Sequence, residues 1–290
     1  MSNIDRETVA SFGDEWSRFD QTGMTETETR KAFEEYFSVF PWAALPMDAE
    51  GFDMGCGSGR WARLVAPRVG RLHCVDPSSA LDVARRNLAT LGNVAFHQAS
   101  VDASGLPPTS QDFGYSLGVL HHVPDTAAAI RSCVALLKPG APLLLYLYYA
   151  FDNRPAWFRA IWRMSDLGRR IIHRLPAGLK HAATDAIAAL VYWPLARLSG
   201  LLERLHLPVH GIPLSFYRHH TFYTMRTDAR DRFGTPLEQR FSRAQIEAMM
   251  RAAGLVDVRF SEGAPYWCAV GVRGKLGSTL TGTGNDLVTA

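Results

Sequence analysis

The chain has 290 residues, 47% of them apolar and 20% charged, which is a globular balance with enough core material for one large domain or a domain with an appendage. A net charge of +3 at pH 7 is too small to argue for a nucleic-acid partner by itself. Four cysteines (Cys56, Cys74, Cys133, Cys268) stand far apart with no CxxC pair, which points to reduced thiols in a cytosolic protein and away from disulfides or a metal site.

Residues 1–45 read as a helical cap, with no apolar run of the kind that marks a secretion signal. In "ETVASFGDEWSRF" the residues Val9, Phe12, Trp16 and Phe19 recur at steps of three and four, an apolar stripe on a helix. Strands and helices then alternate. Strands are expected at 51–55, 71–76, 93–99, 112–118 and 141–149, with helices at about 59–68, 79–91 and 125–138 between them. Short loops in such an alternation imply a doubly wound α/β domain with a mostly parallel sheet.

After residue 153 the alternation stops. Residues 154–206 predict a basic helical block interrupted by Pro176 and Pro194, carrying a local charge of +6 while the rest of the chain carries −3. Its longest uncharged runs, such as 186–196, are shorter than the roughly 20 residues of a membrane span. Residues 207–240 read as an aromatic- and histidine-rich loop. A helix capped by Ser242 and two strands, "LVDVRFS" and "YWCAVGVR", complete the pattern. The expected organisation is a Rossmann-like domain over 46–153 and 241–275, a helical lid inserted over 154–240, and a disordered tail over 276–290.

The stretch "GFDMGCGSGRWARLV" at 51–65 is a strand, a glycine-rich turn and a helix start. Gly55, Gly57 and Gly59 supply G-x-G-x-G, but Arg60 stands where a dinucleotide fingerprint has its third glycine. Asp76, 21 residues past Gly55, ends the second strand where a carboxylate binds ribose hydroxyls. Asp53 lies two residues before the turn; a carboxylate there repels a phosphate and favours an ammonium. A nucleoside with a cationic tail and no phosphates meets both conditions, and S-adenosylmethionine is such a molecule.

The segments "FDMGCGSGRWA", "CVDPS", "ASVDASGLP" and "YSLGVLHHVPD" resemble the successive motifs of class I S-adenosylmethionine-dependent methyltransferases. The resemblance covers about 50–150 and extends to 242–273, which resembles that fold's last helix and reversed hairpin. It implies a seven-stranded sheet with a reversed last hairpin. It also implies that Gly55, Cys56, Gly57 and Gly59 form the cofactor turn and that Asp76 and Pro77 meet the ribose. Asp102 would accept from the adenine amino group with Val101 packed beside it, and Leu117 and Gly118 would offer backbone to the methionine end. Phe52 departs from the family's usual smaller aliphatic residue and is read as a packing variation.

A base is needed only if the acceptor must lose a proton. His121 and His122, just past the fourth strand, and His220 and Tyr223, in "SFYRHHTFY", are the candidate catalytic groups. Tyr146, Tyr149 and Tyr217 are candidates for holding the acceptor. An N-P-P-Y-like tetrapeptide and a Pro-Cys nucleophile are both absent, which turns the expectation from nucleic acid towards a small or amphiphilic metabolite, such as a lipid or glycan precursor. The block around "AWFRAIWRMSDLGRRIIHRL" mixes Trp, Phe and Ile with arginines, a pattern that also suits contact with a membrane surface from the cytoplasm. The competing class is a non-catalytic adaptor that keeps the cofactor fold and binds a membrane or a partner through this block.

Overall fold

The computed structural model describes residues 2–20, 23–209 and 211–275. The expected tail over 276–290 lies outside the described residues. Two helices open the chain, α1 (Arg6–Arg18) and α2 (Glu26–Tyr36), capped by the side chains of Asp5 and Thr25. They precede β1 (Glu50–Met54), α3 (Ala62–Val65), β2 (Arg71–Val75), α4 (Ala80–Asn87), β3 (Val94–His97), β4 (Phe113–Leu117), α5 (Thr126–Leu136) and β5 (Pro142–Tyr146). The sheet closes with α10 (Arg243–Ala252), β6 (Leu255–Phe260) and β7 (Cys268–Arg273). Its strand order is β3-β2-β1-β4-β5-β7-β6, with β7 antiparallel to β5 and β6.

Two apolar cores sandwich the sheet. Phe52, Leu143 and Leu145 meet Ile130 and Met250 on one face; Leu72, Tyr115 and Leu144 meet Phe33, Phe37 and Leu81 on the other. β1 pairs with β2 on one side and β4 on the other, so the strand order reverses there, and ligands bind at the carboxyl ends of strands flanking such a reversal. Phe52 fits because its register partner on β4 is Gly114, where a Cβ would lie 2.1 Å from the Phe52 ring. The neighbouring pair, Gly51 and Phe113, inverts the arrangement.

The segment between β5 and α10 holds four more helices: α6 (Ala156–Ile172), α7 (Ala177–Ile187), α8 (Trp193–Arg204) and α9 (Phe222–Gly234). Three expectations need correction. Residues 207–240 are not all loop, since α9, with Thr221 as its N-cap, lies within them. Strand five ends at Tyr146, so Tyr148 and Tyr149 lie beyond it, and Tyr149 instead bridges to Phe241. Pro194 does not break the helical block. A π-helical turn over Ala188–Tyr192 relieves the clash that a proline ring makes with the carbonyl four residues back. The result is a continuous helix of 28 residues, Ala177–Arg204, long and apolar enough by composition to cross a membrane, although the uncharged runs within it are short.

Candidate active site

The glycine turn follows β1 with left-handed backbone at Gly55 (φ +81°), Gly57 (φ +53°) and Gly59 (φ +80°). A Cβ on Gly55 would sit 2.4 Å from Val119, and one on Gly59 would sit 2.8 Å from Leu88. Only glycine lets the turn pass this close to its neighbours. The Gly57 N–H donates to Asp76 Oδ2 at 2.9 Å. Asp76 Oδ1 accepts from the Ser78 N–H at 2.9 Å and from its hydroxyl at 2.6 Å. The second strand and the turn are thereby locked together.

A cavity of about 830 Å³ opens from this turn. Of the residues expected to meet the cofactor, Gly55, Cys56, Gly57, Asp76, Pro77, Val101, Leu117 and Gly118 line it. Asp53, Gly59 and Asp102 are not among its lining residues. Asp53 is buried beneath the turn with Oδ2 unpartnered, and burial pushes its carboxyl up to about 8. Asp102 is exposed and accepts from Ser100 Oγ at 2.6 Å and from the Asn3 N–H at 2.9 Å, contacts that hold its carboxyl below the usual range. The N-terminal segment is latched onto the loop that the resemblance assigns to adenine.

α1 forms one wall. Val9, Phe12 and Trp16 of its apolar stripe line the cavity, and Trp16 covers Gly57. Glu15 lies on the same wall, fully buried, with neither carboxylate oxygen partnered. Burial raises its carboxyl well above the ordinary range, and the nearby Asp231 adds to this. α9 contributes Asp228 and Asp231, one helical turn apart. Burial pushes Asp228 up to about 6, while a hydrogen bond from Tyr217 lowers it. Glu15 is buried and Asp228 and Asp231 are half-buried, so three carboxyl groups reach one cavity, which Arg60, Arg154, Arg232 and Arg240 line as well. With Asp76 facing in from the second strand, this donor set fits a ligand that has a ribose diol and a cationic end.

His122 is the candidate base that the fold brings to this cavity. Its Nδ1–H donates to the Leu237 carbonyl at 2.6 Å, which fixes the tautomer and leaves Nε2 as the unpartnered acceptor. Nε2 lies 3.9 Å from Asp231 Oδ1. The Tyr148 hydroxyl donates to the other oxygen, Asp231 Oδ2. Tyr146, Tyr149 and Tyr217 also line the cavity.

The remaining candidates lie elsewhere. His121 is fully buried, stacks on Tyr148, and does not line the cavity; burial drives its imidazole well below its ordinary value. His220 hydrogen-bonds the Phe216 carbonyl at 3.0 Å, and Tyr223 packs on Phe19 at 5.7 Å between ring centres; neither lines the cavity. None of these three residues reaches the cavity.

Sequence reasoning missed Glu15, Asp228 and Asp231. The signal for the last two was present in "TFYTMRTDARDRF": Met225, Ala229 and Phe233 recur at helical spacing after a threonine cap.

Residues 52–145 match a family model described as a methyltransferase domain. Stretches of 150 and 142 residues are 29% and 34% identical to the ubiquinone biosynthesis O-methyltransferases of Stutzerimonas stutzeri and Xanthomonas campestris pv. campestris. Each match covers 48% of this chain, and 62% and 56% of those proteins, so the chain spans less than two thirds of their length. Among solved structures, the CurJ carbon methyltransferase shares the fold with a TM-score of 0.53 at 14% identity, over 94% of this chain and 62% of that one.

Proposed function

We infer that this chain, which belongs to the class I S-adenosylmethionine-dependent methyltransferases, transfers a methyl group to a hydroxyl oxygen of a small amphiphilic acceptor. The cofactor is S-adenosylmethionine, and the lining residues Gly55, Gly57, Asp76, Val101, Leu117 and Gly118 would hold it. When bound, it supplies a methyl group on a sulfonium already activated for in-line displacement. The protein is left with alignment, exclusion of water and the acceptor's proton.

The observation that carries the reading is the continuity of the cavity. It runs from the glycine turn, past His122, to an apolar wall built by Phe158, Ile161, Trp162 and Ile172 of α6 and Val191 and Leu195 of the long helix. A polar end at His122 and an extended apolar wall suit an acceptor with a hydroxyl head and a greasy body. His122 accepts the hydroxyl proton at Nε2. Asp231 stabilises the imidazolium so formed, and Tyr148 keeps that carboxylate oriented. The names of the two relatives above, both O-methyltransferases of ubiquinone biosynthesis, support an oxygen acceptor.

The test is turnover with S-adenosylmethionine, read as release of S-adenosylhomocysteine, across hydroxylated aromatic acceptors with and without an alkyl tail. Tailed acceptors should turn over faster. Release that does not depend on the acceptor, or that ignores the tail, counts against the reading.

A further inference from the structure

Apolar residues that a globular chain would bury are exposed on the insertion. Met164 is 72% exposed, Ile171 68% and Leu190 76%. At about 100° per residue, Trp157, Ile161, Met164, Leu167 and Ile171 fall on one stripe of α6. The adjoining side of the helix, with Phe158, Trp162 and Ile172, lines the cavity, and Ile161 on the stripe reaches it as well. Exposed Arg159, Arg163 and Arg170 run along one edge of the stripe. The long helix repeats the design. Ala188, Tyr192 and Ala196 pack on Met225, Ala229 and Phe233 of α9, while Leu190, Trp193, Leu198 and Leu201 face outwards. Because one side of it is packed against the body, this helix is built to lie on a surface rather than to cross one. Contiguous exposed apolar area of this kind marks an interaction site.

We propose that these two exposed faces seat the protein on an anionic lipid bilayer, with the mouth of the cavity turned to the membrane. Charge selects this occupant. The 154–206 block carries +6 and the rest of the chain −3, so the chain's excess positive charge lies on the block that bears this face, which attracts anionic headgroups. A second copy of the chain would bring the same arginines into one interface. Position supports the choice as well. Ile161 on α6 and Val191 on the long helix are both half-exposed and both line the cavity, which puts its mouth between the two apolar faces. Interfacial helices with arginines beside Trp, Ile and Leu bury their apolar side just below the headgroups. An amphiphilic acceptor can then pass from the bilayer into the cavity. This route rests on the function proposed above; the membrane contact does not.

The experiment is co-sedimentation of the full chain with vesicles of phosphatidylcholine alone or mixed with phosphatidylglycerol. Binding to the mixed vesicles should be at least tenfold stronger and should weaken in high salt. The double variants Met164→Asp/Leu190→Asp and Arg159→Glu/Arg163→Glu should each lose that binding while keeping affinity for S-adenosylhomocysteine, which shows that they are folded. Asp76→Ala should bind vesicles like the parent, which separates this proposal from the cofactor reading. No vesicle binding, equal binding to both vesicle types, or a solution dimer that the aspartate variant breaks would each overturn the proposal.

Discussion

His122 Nε2 lies 3.9 Å from Asp231 Oδ1, and the two residues reach each other from opposite parts of the chain, one after β4 and one on α9. The pairing unites the Rossmann-like sheet with the inserted helices at one point of the cavity wall. His122→Gln should therefore lower kcat by about 10²–10⁴, the usual worth of general-base catalysis, with little change in cofactor affinity. Steady-state kinetics beside calorimetric titration with S-adenosylhomocysteine would separate the two. A variant with parental kcat would remove the base assignment.

Asp76→Ala should weaken S-adenosylmethionine binding roughly tenfold to a hundredfold, since a charge-assisted hydrogen bond contributes about 1.5–3 kcal/mol. The Gly57 N–H also loses its acceptor, so some loss of thermal stability should accompany the change. Calorimetry on the folded variant decides the matter, and unchanged affinity would refute the ribose role.

Gly114→Ala should destabilise the fold by about 1–3 kcal/mol, because the added methyl would press on the Phe52 ring 2.1 Å away. Phe52→Leu in the same chain should recover part of the loss. Thermal unfolding of the single and double variants checks this; additive losses would mean that the two residues do not share the space.

The pH dependence carries the mark of Asp53. Its carboxyl rises from 3.8 to about 8 in the folded chain, so the native state holds this proton more tightly than the unfolded state. Its effect is absent below about pH 4. Stability then falls as pH rises towards 8, and the cost of the buried charge is fully present above that. Asp53→Asn should flatten this part of the profile and be the more stable form at pH 9. Parallel stability curves for parent and variant between pH 4 and 9 would contradict the assignment.

The sheet was legible in the sequence because its signals are local. Each strand is an apolar run bounded by turn residues, and the turn that follows β1 needs glycines whose spacing can be read directly. The cofactor side of the site was legible for the same reason: Gly55, Gly57 and Asp76 belong to consecutive elements. The acceptor side was legible only in part, through His122, Tyr146, Tyr149 and Tyr217. Glu15, Asp228 and Asp231 meet only when α1 and α9 fold over the carboxyl edge of the sheet, a contact between residues some 200 positions apart that no local pattern announces. His121 and His122 were indistinguishable as neighbours in sequence. The short 3₁₀ turn at Leu120–His122 sends one ring into the core and the other to the cavity.

The most direct test of the account uses two acceptors matched in ring and alkyl tail, one bearing a hydroxyl and the other a primary amine at the same position. Each is incubated with S-adenosylmethionine carrying an isotopically labelled methyl group, and the product is located by NMR. The account predicts label on the oxygen of the hydroxyl acceptor, at a rate that His122→Gln reduces at least a hundredfold. Label on the amine with equal efficiency, or labelled product from both acceptors that is indifferent to His122, would contradict it.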